Sequence, residues 1–223
     1  MAAALGLLLA SPASPADLPA EADPFDWFEQ IERARAVNEG ELRFLDPAPP
    51  QPVHHHRNRM KIDPAALESG WVALEQCHEH LDAVPAAEVV YRAGGIRDLT
   101  IVATRNIGRA WVDGDSVQLE DVGHAALLCV AAISQALQRD GERGYLLANG
   151  PFMRRFLDGY YPMRVSLEVE FPPEQLAFRG VTPEPQPGLR VDQHLGHVSV
   201  DASFEGRLRT ELRFCAIGAG ACP

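Results

Sequence analysis

A single lysine, Lys61, stands in the whole 223-residue chain. Positive charge otherwise rests on arginine, and 31 acidic residues bring the formal net charge to −11. A balance of that sign argues against nucleic acid and against an anionic membrane surface as partners. Beyond the N-terminus no run approaches the roughly 20 apolar residues that span a bilayer. No C-x-x-C motif is present, so neither a thioredoxin-like site nor c-type haem attachment is supported. H-E-x-x-H, zinc-finger spacing and a calcium loop are missing, and so is G-x-S-x-G. Ser116, Ser134 and Ser199 have no flanking signature of a nucleophile. Gly94-Gly95 falls in a strand connection rather than ahead of a helix, so it is no phosphate cradle. These absences favour a protein that is not an enzyme. A hydrolase whose site is invisible in the sequence is the remaining catalytic alternative.

What is present begins with an address. Ala2 to Ala10 is apolar, and Ser11-Pro-Ala-Ser-Pro-Ala16 supplies the small residues of a cleavage site. No Lys or Arg precedes the apolar run, so a basic n-region is missing. The reading is a secretory signal over residues 1–16 and a periplasmic or secreted mature chain. Export favours disulfides among Cys77, Cys129, Cys215 and Cys222, which allow three pairings. Cys77–Cys129 within the body and Cys215–Cys222 as a local C-terminal loop are the favoured bridges.

Residues 17–45 form an acidic segment. Residues 17–50 carry −6 of the net −11. Asp23 and Pro24 make a helix-start signal, and Trp27, Phe28 and Ile31 recur at helical spacing. That amphipathic helix needs somewhere to bury its apolar face, either on the main domain or on a partner. Residues 46–52 hold four prolines and read as a stiff linker. From Val53 to the end the grammar is β. Strands are expected at Val53–Ile62, 71–80, 87–92, 99–104, 107–113 and 116–122; the Ala-rich 125–137 is read as a strand paired across Asp140-Gly141 with 145–148, with a helix as the alternative. Further strands are expected near 145–148, 163–171 and 175–181, with a closing hairpin of 195–204 and 207–214 around Glu205-Gly206. Many short strands with Gly/Pro turns predict a mainly β fold. The expected form is an antiparallel β-sandwich, Greek-key-like, over 53–223, with one short N-terminal helix.

The densest stretch is Asn149 to Arg164. Asn149-Gly150 and Asp158-Gly159 are turn signals. Between them lies an aromatic connector with room for one helical turn at 153–157. After Pro162, Met163, Val165, Leu167, Val169 and Phe171 alternate with Arg164, Ser166, Glu168 and Glu170, a strand with one buried face. Arg154, Arg155, Tyr160 and Tyr161 are candidate partner-binding residues, because Arg and Tyr anchor interfaces. The alternative is a packed corner, with arginines lying over aromatic rings at the end of the sandwich.

Histidine is the unusual inventory item. His54 and His56, and likewise His78 and His80, stand two apart, and on a strand such pairs share a face. If the two pairs converge they form a candidate copper or zinc site, since imidazole suits either metal. The alternative is surface histidines. Val53-His-His-His, Gly70-Trp-Val, Glu75 to Asp82 and the 149–164 stretch resemble a family of exported proteobacterial proteins of unknown role, over most of 53–214. That resemblance implies an envelope location and carries no activity, cofactor or site residue. The functional expectation is an exported, non-enzymatic binding or accessory protein whose partner is another envelope protein. A histidine-based copper or zinc protein is the alternative.

Overall fold

The alternating run after Pro162 forms the middle of a large sheet. In the computed structural model, which describes residues 38–218, Met163–Glu170 turns Met163, Val165, Leu167 and Val169 inward, each at most 1% exposed. The described residues fall within one compact unit. Their strands, in chain order, are β1 (Arg43–Phe44), β2 (His55–Lys61), β3 (Val72–Leu81), β4 (Val84–Val90), β5 (Ile96–Asp113), β6 (Ser116–Ser134), β7 (Leu137–Asp140) and β8 (Gly144–Phe152). They continue as β9 (Arg154–Phe156), β10 (Gly159–Tyr161), β11 (Met163–Glu170), β12 (Leu176–Thr182), β13 (Leu189–His194), β14 (His197–Glu205) and β15 (Leu208–Ala216). One helical turn, α1 (Ala66–Ser69), joins β2 to β3. Asp63 starts it by accepting the Ala66 N–H, and Gly70 ends it in the left-handed region at φ 79°.

The expected mainly β, sandwich-like architecture is what the chain adopts. A nine-stranded sheet runs β1-β14-β11-β2-β3-β6-β4, with β13 also along β14 and β5 along β6. A four-stranded sheet runs β12-β15-β8-β7, and β9 and β10 form a small hairpin. All pairs are antiparallel except β2 with β11. One core lies between the two larger sheets, where Met60, Leu167 and Phe204 meet Leu147, Leu212 and Phe214. A second, smaller core gathers Val117, Leu119 and Leu128 of β6 with Val84, Ile101 and Ile107 of β4 and β5.

Three sequence expectations change. The segments 99–104 and 107–113 are one strand, β5, kinked by register shifts; the segments 116–122 and 125–137 largely merge into β6. Asp98, Asn106, Asp121 and Ala125 take positive φ along this hairpin. Such bulges bend the strands without ending them, so the sequence pattern breaks while the ladder continues. The strand that pairs across Asp140-Gly141 is therefore β7 rather than 125–137. The 153–157 turn is extended, as β9.

The third change concerns Glu205-Gly206. It does not close a hairpin. β14 belongs to the large sheet and β15 to the small one, so the chain crosses the sandwich there. Gly206 has φ 90°, and a Cβ on it would run into the backbone carbonyl of Glu41. Both strands satisfy their inward residues on opposite walls of the core, and the partner of each is chosen by that burial rather than by the turn. Residues 46–52, expected as a linker, form no strand or helix and lie within the compact unit. The preceding Arg43–Phe44 already pairs with β14.

Cys77 and Cys129 sit opposite one another on β3 and β6 and are bridged, as predicted. Cys215 is buried at the end of β15, and Cys222 lies outside the described residues. So do residues 1–37, including the expected signal, the amphipathic helix and Trp27, Phe28 and Ile31. No helix among the described residues is long and apolar enough to cross a membrane.

Candidate functional site

The antiparallel register of β2 with β3 sets His56 against His78, Asn58 against Gln76 and Met60 against Leu74. All six lie on the face turned to the interior. Met60 and Leu74 continue the apolar core. The other four replace it with a polar row, in which Asn58, Gln76 and His78 are buried. Burying such groups is costly unless they find partners, and most do. Gln76 donates from Nε2 to Asn58 Oδ1 at 2.9 Å. Gln76 Oε1 accepts the Tyr91 hydroxyl at 2.7 Å and His78 Nε2–H at 3.2 Å. With its proton on Nε2, neutral His78 offers Nδ1 as acceptor to His54 Nε2–H at 3.3 Å.

The three imidazoles stack. Ring centroids are 4.2 Å apart for His56 and His78, 5.4 Å for His54 and His78, and 6.3 Å for His54 and His56. Phe152 of β8 closes on His56 edge-on at 4.8 Å. Burial holds His78 down to about 3 and His54 to about 4, and keeps His56 well below its ordinary range, so all three are neutral at neutral pH. Burial pushes the Tyr91 phenol up, which keeps it a donor. Two atoms of the row are enclosed without a protein partner, His56 Nε2 and Asn58 Nδ2.

Two members of this row, His56 and Gln76, line a cleft of about 530 Å³. Its floor includes Met60, Leu74, Ile96 and Phe152, and its rim carries Arg92, Asn149 and Arg209. Small-molecule sites have this size and this mixture of apolar wall with a few convergent polar groups.

Of the four histidines singled out as metal ligands, the fold brings His54, His56 and His78 together and leaves His80 apart. The β3 ladder slips between His78 and Leu81, and His80 takes φ 55° there and is exposed. The bulge cancels the alternation that put His78 and His80 on one face. Among the described residues no group of three or more His, Cys, Asp or Glu side chains is arranged to hold a metal ion.

The other face of β2 carries a second polar array. His55 Nε2 is 2.8 Å from Ser166 Oγ, and His55 Nδ1 is 3.3 Å from Glu79 Oε2. These are the distances of a nucleophile, base and orienting acid. Ser166, however, donates its one proton to Asp201 at 2.7 Å, so Oγ accepts from His55. Arg164 forks onto the same Asp201. The array ties β3, β2, β11 and β14 together across the sheet and does not activate the serine.

At the 149–164 corner the arginines cover rings. Arg154 lies over Phe156 and Tyr161, at 5.5 and 5.6 Å from the ring centroids. It forks onto Asp82 through Nε and Nη2 at 2.9 and 2.7 Å. Arg155 lies over Tyr160, whose hydroxyl accepts from Arg207 Nε at 2.7 Å. Tyr161 donates to Asp158 at 2.6 Å. Tyr160 is buried, while Phe156 and Leu157 are exposed at the hairpin tip.

Sequence reasoning passed over Asn58, Gln76, Tyr91 and Arg92. The signal for the first two was available: each occupies an inward position of a strand whose neighbouring inward positions are Met60 and Leu74. A search of family models, curated proteins and solved structures finds no match to this chain.

Proposed function

We propose that this protein is an exported, non-catalytic binding module of the cell envelope that takes a small ligand into the cleft between its two sheets. The observation that carries the reading is a cleft of about 530 Å³ into which the buried polar row presents His56 and Gln76, above an apolar floor of Met60, Leu74, Ile96 and Phe152. His56 and Gln76 supply hydrogen-bonding groups for recognition rather than acid–base chemistry. The disulfide and the N-terminal apolar run support an oxidising compartment.

The test is recovery of a ligand with the protein. Full-length precursor is expressed with its signal, mature protein is purified from the envelope fraction, and the denatured extract is analysed by mass spectrometry. A small organic molecule should accompany wild type at near-stoichiometric amount and be missing from Ala136→Trp, which fills the cleft. An extract equally empty for both, or a molecule retained equally by both, rejects the cleft as the site.

A further inference from the structure

We infer that the ligand of this cleft is a small amphipathic carboxylate, its apolar body on the floor and its anionic head at Arg92. This deepens the binding-module reading and rests on it. The first argument is charge. Twenty residues border the cleft, and none is Asp or Glu, whereas at the chain's overall acidic content about three would be. Two are arginines, Arg92 and Arg209. In a protein of net charge −11, this is a local reversal of sign in a concave surface, where low-dielectric walls strengthen attraction for an anion.

The second argument is how Arg92 is held. Its Nη2 donates to the Gln135 carbonyl at 2.8 Å, which fixes one edge of the guanidinium. Its stem lies against Gly95, where a Cβ would sit 2.6 Å from Arg92 Nε. Glycine at that position gives the side chain its path. Among the described residues no carboxylate pairs with Arg92, whereas Arg209 is 3.3 Å from Glu211. A guanidinium anchored through one nitrogen keeps donors free in a planar fork, the arrangement that takes a carboxylate through two parallel hydrogen bonds.

The third argument is the body. Met60, Leu74, Ile96 and Phe152 make an apolar floor that a wholly polar anion would leave unused. His56 and Gln76 stand at the polar side of that floor. An apolar acid with one further hydrogen-bonding group meets all three features.

Calorimetric titration of the full mature chain with 4-phenylbutyrate and its neutral amide tests this. The acid should bind at least about tenfold more tightly than the amide, the worth of one charge-assisted hydrogen bond. Arg92→Gln should remove that preference, bringing the acid down to the affinity of the amide. Ala136→Trp should weaken both probes. Val90→Trp, at an exposed rim position, does the same without touching the interior. Equal affinity for acid and amide, or an unaltered preference in Arg92→Gln, overturns the carboxylate assignment. If both cleft-filling variants still weaken binding in that case, the cleft stands as a site with another ligand class. Failure of the acid to bind wild type also overturns the assignment, and the co-purification experiment then judges the cleft separately.

Discussion

His54 Nε2 lies 3.3 Å from His78 Nδ1, and the direction of the bond between them is set two residues away. Because Gln76 Oε1 takes the His78 Nε2 proton, His78 Nδ1 must accept and His54 must donate. A second proton on His78 would set two N–H groups against each other.

Stability should therefore fall with pH. The folded values of His54 and His78, about 4 and about 3, lie below the ordinary 6.5 of the unfolded chain. Unfolded protein binds more protons in that window. The contribution is fully present above about pH 6.5 and is lost as pH falls toward 3, at roughly 1.4 kcal/mol per pH unit for each histidine. Urea unfolding at pH 7 and pH 4.5 measures it. His78→Gln, which keeps a donor toward Gln76 and cannot titrate, should show a shallower slope; an identical slope contradicts the assignment.

Removing the Cys77–Cys129 bridge should cost about 4 kcal/mol, the loop-closure value for a 52-residue separation. For a domain of this size that is roughly a 10 °C lower Tm. Calorimetry of Cys77→Ala/Cys129→Ala gives the number, and a shift under a couple of degrees means the paired strands already confine the loop.

Gly206→Ala should destabilise by about 2–3 kcal/mol, because alanine is strained at φ 90° and its Cβ meets the Glu41 carbonyl. Chemical unfolding checks this. A neutral substitution implies that the crossing between sheets relaxes freely.

Arg154 and Asp82 are forked but partly exposed, at 21% and 38% of side-chain surface. Their coupling should be near 1 kcal/mol, the upper end for solvated pairs. A double-mutant cycle with Arg154→Gln and Asp82→Asn measures it, and the coupling should shrink in high salt.

Much of the architecture was legible because period-two alternation survives in strands with one wet face. The run 163–171 gave its strand, its buried side and its central place, and Cys77 and Cys129 paired as expected. The failures share a cause. His80 left its cluster because a bulge shifts the register, and a bulge is a property of two strands rather than one. Glu205-Gly206 carries a turn signal that a hairpin and a crossing between sheets use equally. The polar row was missed because Asn58 and Gln76 look like solvent-facing residues until pairing shows them level with Met60 and Leu74. Arg154 and Arg155 were legible as a cluster, and their position over the rings follows the packed-corner alternative.

The parallel pairing of β2 with β11 has a consequence for how a nascent chain acquires this structure. Arg59 and Glu168, facing each other across that seam, are 109 residues apart. The β5–β6 hairpin closes over two residues and can form as soon as it is synthesised. β2 must wait with one edge open until β11 has been made, and open edges invite pairing with other chains. The slowest and most aggregation-exposed moment of folding therefore falls at the centre of the large sheet, and it ends only when the run after Pro162 arrives.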